Sequence, residues 1–237
     1  MTEALFRDDA YLKTCEATVT AVNDRGGIVL DRTIFYPTGG GQPGDSGEMR
    51  TAGGRTLRIA TTVKGETPDE IVHVPAEGET PPAVGETVTL TLDWDRRYAH
   101  MRMHTCLHLL SAVLPFPVTG GNVGAEKSRL DFDMEESPDK DEVTEKLNAL
   151  IAEDHPVSFD WITDEELAAK PDLVKTMSVK PPSGAGRVRL IRVENCDLQP
   201  CGGTHVARTS EIGRVAVTKI EKKGRMNRRV AIQFAGG

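Results

Sequence analysis

His104 and His108 stand four residues apart in a stretch whose apolar residues recur with helical spacing. At 3.6 residues per turn their imidazoles project from one helix face, one above the other, which is a way to share a metal ion. The same spacing also describes two ordinary core or surface histidines. Cys201 and His205 repeat the separation within Gln199-Pro200-Cys201-Gly202-Gly203-Thr204-His205, where the Gly-Gly pair predicts a loop rather than a helix. Glycine leaves such a backbone free to fold until thiolate and imidazole converge. Together His104, His108, Cys201 and His205 make a nitrogen and sulfur donor set suited to a single zinc ion. A fully ligated zinc is ordinarily structural, whereas a catalytic one keeps a position open, and the spacing leaves both roles possible. His100, one turn before His104, is a substitute ligand or a neighbour of the site. His73 and His155 read as structural or exposed. Cys15, Cys106 and Cys196 read as small buried hydrophobes. HExxH is missing, so no glutamate base stands at protease spacing.

The elements that must position these residues fall into two patterns. The first ninety or so residues read as all-β. Cys15–Asp31 forms two strands around Asn23-Asp24-Arg25-Gly26-Gly27, a turn signal, and further strands lie in TLRIATTV, DEIVHVP and VGETVTLTLDWD. In the last of these Val88, Leu90 and Leu92 alternate with threonines. Many short strands with Gly/Pro turns predict a small barrel or sandwich. From Asp95, a cap, a helix is predicted over about Arg96–Leu114, with Met103, Leu107, Leu110 and Leu114 facing a core and Pro115 stopping it. Ser137 caps a second helix that runs to about Glu153, and Thr163 with Glu166 makes a capping box for a third. Strands follow or intervene at SRLDFDM, PVSFDWI, RVRLIRVE, GRVAVTKIEK and NRRVAIQFA. The expected division is a β-rich domain over 1–93, small and barrel-like, and an α+β domain over 94–237.

Net charge is −7, which at first argues against a nucleic-acid partner, but its distribution matters more than its sum. Ala207–Gly237 carries eight Lys/Arg and two Glu, whereas Asp131–Asp172 carries fifteen acids and three bases. The acidic run is expected to be a solvated helical surface. The basic tail is either the same thing with opposite sign or a phosphate-facing patch. No stretch is long and apolar enough to span a bilayer, and the N-terminus lacks the design of a secretory signal, so a cytoplasmic protein is expected.

At this point the motifs resemble a known family. His104-Thr105-Cys106-Leu107-His108-Leu109-Leu110 is similar to the HxxxH helix of alanyl-tRNA synthetase editing domains and of their free-standing relatives, the AlaX proteins. Cys201-Gly202-Gly203-Thr204-His205, with Glu211-Ile212-Gly213 after it, resembles that family's CGGTH segment. Phe35-Tyr36-Pro37-Thr38-Gly39-Gly40-Gly41-Gln42-Pro43-Gly44-Asp45-Ser46-Gly47 looks like its glycine-rich motif, and Asn227-Arg228-Arg229-Val230 like its closing strand. The resemblance spans nearly the whole chain in the same order. It implies a medium-length AlaX protein, with an editing domain of the threonyl/alanyl-tRNA synthetase type as a two-layer α/β fold. Two departures stand out. Cys106 replaces a usual small residue, and Val118-Thr119-Gly120-Gly121-Asn122 lacks a common Gln.

The implied function is hydrolysis of mischarged tRNA(Ala), chiefly Ser-tRNA(Ala) and also Gly-tRNA(Ala), with one zinc per chain held by His104, His108, Cys201 and His205. Rival readings are editing of a different misacylated tRNA, a zinc-stabilised tRNA-binding module without catalysis, and a general metallohydrolase for small esters. A serine-reading hydroxyl contact would come from Thr119 or Thr105, although each could be an ordinary structural threonine. Gly39, Gly40, Gly41 and Asp45 are the expected substrate-binding loop, with Asp45 fixing it by hydrogen bonds to local backbone; no GK[ST] follows the glycines, so a nucleotide loop is not expected. Lys222, Lys223, Arg225, Arg228 and Arg229 are the expected contacts to tRNA phosphates. No DNA or membrane partner is expected. Monomer and homodimer both remain open.

Overall fold

The computed structural model describes residues 1–67, 69–177 and 186–236. They divide into two compact units, Met1–Tyr98 and Ala99–Gly237.

In the first unit β1 (Glu3–Ala4) pairs in parallel with β4 (Arg32–Thr33). The other strands are β2 (Thr14–Val22), β3 (Ile28–Leu30), β5 (Gly47–Thr51), β6 (Thr56–Lys64), β7 (Ile71–Pro75) and β8 (Thr87–Leu92). They close into a barrel in the order β2-β3-β7-β6-β5-β8, with β8 returning to pair with β2. Closure leaves none of the six with a free edge. The alternation read in the sequence is the inward set: Ala17 and Val19, Leu57 and Ile59, and Val88, Leu90 and Leu92 are buried together around Met49. Strand β5 was not expected, because its short polar run gives almost no periodic signal. Its Met49 nonetheless fills the barrel.

Helix α1 (Trp94–Val113) begins in the first unit and continues into the second. It starts two residues before the expected Arg96, because Asp93 rather than Asp95 caps it: Asp93 Oδ1 accepts from Arg96 N at 3.3 Å and Asp93 O from Arg97 N at 3.0 Å. Asp95 instead lies in the first turn, where its charge favours the helix dipole. From Met103 to Ser111 every residue of α1 is buried, so the helix is enclosed on all sides rather than along one stripe.

The second unit contains β9 (Val118–Asn122), β10 (Lys127–Asp133), α2 (Lys140–Ala152), β11 (Val157–Thr163), α3 (Asp164–Ala168), β12 (Arg187–Val193), β13 (Asp197–Pro200), β14 (Val215–Gly224) and β15 (Asn227–Phe234). One sheet has the order β14-β15-β10-β9 and the other β11-β12-β13, all antiparallel. The expected architecture, a small barrel followed by mixed helices and sheets, is the one observed. Helix α2 locks onto β14 through Asn148, which donates to Val215 O at 2.8 Å and accepts from Val215 N at 3.0 Å. Its cap is Asp139, whose carboxylate accepts from Asp141 N and Glu142 N. Ser137, the expected cap, instead accepts a hydrogen bond from Arg228 Nε at 3.0 Å. The Thr163–Glu166 capping box of α3 is present as read.

Candidate metal centre

Helix α1 supplies His104 and His108, and the loop after β13 supplies Cys201 and His205. One donor atom from each lies within 4.8 Å of the others. Cys201 Sγ is 3.4 Å from His104 Nε2 and 3.4 Å from His205 Nε2. A tetrahedral zinc with Zn–S near 2.3 Å and Zn–N near 2.0 Å would separate sulfur and nitrogen by about 3.5 Å. The donor chemistry and spacing therefore fit such an ion. The three histidines are buried, and Cys201 is the partly exposed member of the set.

The imidazoles are held from behind. His108 Nδ1 donates to Asp197 Oδ2 at 2.8 Å, which leaves Nε2 to face the cluster. Asp197 Oδ1 receives Lys175 Nζ, and Gln199 Nε2 donates to Asp197 Oδ2 at 2.7 Å and to Ser111 Oγ at 3.3 Å. Ser111 in turn donates to His108 O at 2.9 Å. His205 Nδ1 lies 3.1 Å from Thr105 Oγ1, which also accepts from Val206 N at 3.3 Å. Arg102 on α1 donates to Ile212 O at 3.0 and 2.6 Å, tying the segment after the metal loop back to the helix.

Electrostatics prepares the set for a cation. Burial would raise the Cys201 thiol, but the neighbouring His104 and His205 outweigh it and hold Cys201 well below its ordinary value. Burial, and then the charge of His104, lowers His205 to about 3, so it is neutral. Burial would also lower His108, yet its bonds to Asp197 and Cys201 push it up to about 9. Burial would raise Asp197, but His108 and Lys175 hold it at about 2. A cation entering there would thus meet a thiol whose ionisation is favoured and would compete with the proton held on His108.

The other expected site residues are placed as follows. Thr105 is fully buried, against His205 Nδ1. Thr119, on β9, donates to Asp131 O at 3.1 Å and accepts from Asn227 Nδ2 at 2.9 Å. In the first unit Gly39, Gly40 and Gly41 form a tight turn closed by paired backbone bonds between Gly39 and Gln42 at 3.1 and 2.9 Å. Gly40 and Gly41 there have φ of 56° and 83°, which favours glycine. Asp45 is buried: it pairs with Arg97 and accepts from Tyr36 N at 2.6 Å. It anchors the loop through local backbone, as expected of it, and both its oxygens are engaged inside the unit.

Lys222, Lys223 and Arg225 are exposed on the β14–β15 hairpin, where Lys223 lies 3.5 Å from Glu221. Arg229 pairs with Asp131 at 2.8 Å. Arg228 is only 4% exposed and donates to Ser137 Oγ and to the carbonyls of Gly224, Arg225 and Asn227, so it turns inward instead of toward phosphates. His100 is buried outside the four-residue cluster. His155 bonds Glu153 at 2.7 Å. Cys106 is an inert buried thiol, raised to about 12 by burial.

Sequence reading missed Asp197, Gln199, Ser111 and Lys175. A signal existed for two of them: Asp197 and Gln199 alternate along β13, and Cys201, just past its end, continues the same spacing, so the three point to one side.

Residues 188–231 match the family described as threonyl and alanyl tRNA synthetase second additional domain, and residues 4–96 match class II (A) tRNA synthetases. The chain is 37% identical to an alanyl-tRNA editing protein AlaX-M of Methanosarcina acetivorans, over 97% of this chain and 98% of that one. It is 38% identical to the AlaX-M protein of Methanosarcina mazei, over 97% and 95%. It is also 37% identical to the alanyl-tRNA editing protein AlaX-L of Pyrococcus horikoshii, over 95% of this chain but 56% of that longer one.

Proposed function

The chain belongs to the family of alanyl-tRNA editing proteins, and we propose that it is a zinc-dependent deacylase of mischarged tRNA(Ala). Ser-tRNA(Ala) is the chief substrate in this reading and Gly-tRNA(Ala) a second. The observation that carries it is the convergence of His104, His108, Cys201 and His205, with His108 and His205 held from behind. Zinc bound there supplies Lewis acidity that can polarise an ester carbonyl or a water. Asp197 and Thr105 fix the orientation of the two imidazoles that they touch. Cys201, the most exposed ligand, marks the side from which substrate reaches the centre.

Sparing Ala-tRNA(Ala) calls for a group that hydrogen-bonds the serine hydroxyl and is left unpaired by alanine. Thr119 takes this role in the proposal, by exchanging its bond to Asp131 O for the substrate hydroxyl. The Gly39–Gly41 turn is proposed to approach substrate through its backbone. Lys222, Lys223 and Arg225 are proposed to meet phosphates of the RNA.

One observation favours a second reading: four protein ligands can complete the coordination of a zinc that only stabilises the fold of a tRNA-binding module. The test compares Ser-tRNA(Ala), Gly-tRNA(Ala), Ala-tRNA(Ala) and Ser-tRNA(Thr) as substrates for the zinc-loaded wild type and for His104→Ala. Hydrolysis of the first two by the wild type, lost in a variant that stays folded and retains tRNA affinity, supports the deacylase. Preference for Ser-tRNA(Thr), or full activity without metal, overturns it.

A further inference from the structure

Strand β11 is an edge strand with exposed residues on both faces, yet it carries two aromatic side chains, Phe159 and Trp161. Phe159 is 36% exposed and Trp161 half-buried. Each ring lies against an arginine from the neighbouring strand: Arg187 is 4.4 Å from the Trp161 centroid and Arg189 is 4.7 Å from that of Phe159. Arg187 is exposed, whereas Arg189 is buried and donates to Gly203 O at 2.8 Å, inside the metal loop.

Register explains why these groups share a face with the metal centre. Trp161 is paired with Arg189, and Cys201 N bonds Arg189 O at 3.0 Å, so Trp161, Arg189 and Cys201 form one cross-strand row. Phe159, Ile191 and Gln199 form the next row on the same face. Two strand spacings, about 10 Å, separate the aromatic end of each row from the end at the metal centre. That is the span over which a single-stranded nucleotide end lays down its last base or two.

We propose that Phe159, Trp161, Arg187 and Arg189 form a stacking platform for the unpaired 3′-terminal bases of the RNA whose ester is cleaved at the Cys201 end of the same face. The proposal rests on the deacylase reading given above. Aromatic faces and guanidinium planes stack bases without regard to sequence, and an exposed arginine beside them offers charge complementary to the connecting phosphates. A terminal segment common to all tRNAs calls for this kind of contact, which grips the end and leaves identity to be read elsewhere.

The test measures deacylation of mischarged tRNA(Ala) by zinc-loaded Phe159→Ala, Trp161→Ala and Trp161→Phe, with zinc content and circular dichroism recorded for each. KM should rise roughly 5- to 100-fold in each alanine variant, with the effect falling on KM rather than kcat. The phenylalanine replacement should restore KM to within a few-fold. In parallel, the trinucleotide CCA should quench tryptophan emission of the wild type and not of Trp161→Phe. Should an alanine variant lose fold or zinc, Arg187→Gln, a change at an exposed side chain, decides by the same rise in KM. Unchanged KM in the folded variants together with no quenching overturns the platform while leaving the deacylase standing. A wild type that hydrolyses no mischarged tRNA overturns the deacylase, and CCA quenching then decides for or against the stacking surface alone.

Discussion

Replacing Asp197 by asparagine should weaken metal binding without unfolding the second unit. Asp197 gives one oxygen to His108 Nδ1, at 2.8 Å, and the other to Lys175. Asparagine has a single acceptor oxygen and must abandon one partner. If the oxygen turns to Lys175, the amide N–H₂ meets His108 Nδ1 and favours the tautomer with its proton on Nε2, the nitrogen that faces the metal. If the oxygen stays with His108, Lys175 is left against an amide donor. In either case a charge-assisted bond becomes a neutral one or is lost, a difference of about 1–2 kcal/mol, or roughly 5- to 30-fold in affinity. This overlaps the 10- to 100-fold range typical of outer partners of metal-bound histidine. Zinc affinity is read by competition with a chelating dye at pH 7.5, and the fold by circular dichroism and urea unfolding. A folded Asp197→Asn protein that binds zinc within twofold of the wild type would refute the claim that Asp197 sets the His108 ligand.

Other consequences follow from the same placements. His73 is fully buried between Thr33 Oγ1 and Ile28 O, and burial lowers it from 6.5 to about 4, so the unfolded chain takes up the proton first. Its contribution is complete above about pH 6.5 and is lost as pH falls through 4, a change of about 3 kcal/mol. Urea unfolding across this window should show a steeper acid loss in the wild type than in His73→Leu, and parallel curves would remove the assignment. Asp45→Asn strands the buried Arg97 charge and should destabilise the barrel unit by about 3–5 kcal/mol; a loss under about 1 kcal/mol would mean that water or a shifted carbonyl replaces the carboxylate. Gly44→Ala sets a Cβ 1.9 Å from Thr62 O, so the loop backbone must move, and a lowered melting temperature is expected; an unaltered one would show that the turn is pliable. Lys222→Ala and Arg225→Ala should each reduce the salt dependence of KM for tRNA by about one unit of logarithmic slope, whereas an unchanged slope would take the hairpin out of the RNA footprint.

The signals in this chain divide along a physical line. Signals between near neighbours in the chain were legible. The four-residue spacing put His104 and His108 on one face, and the Gly-Gly loop brought Cys201 to His205. Val88, Leu90 and Leu92 alternated into the barrel, and Thr163 with Glu166 formed its box. Each depends on local backbone geometry, which residue type and spacing express directly. Caps were less secure, because Asp93 or Asp95, and Ser137 or Asp139, satisfy the same local rule. The choice fell to contacts such as Arg228 with Ser137, 91 residues away.

What distance along the chain separates, residue types alone could not join. Arg228 and Lys222 are both cations in one basic tail, yet one is enclosed by carbonyls and the other meets solvent. The two are paired across β14 and β15 and so share a face; the hairpin carbonyls and Ser137 gathered around Arg228 decide which. Asp197 meets His108 across 89 residues, and Trp161 shares a row with Cys201 only through the register of β11 on β12. Composition and spacing thus supplied the four donor residues of the cluster and the classes of element, since both are short-range properties. The partners that orient the ligands, and the face on which an RNA end would lie, came from strand register and helix packing, where many residues act together and no single segment carries the information.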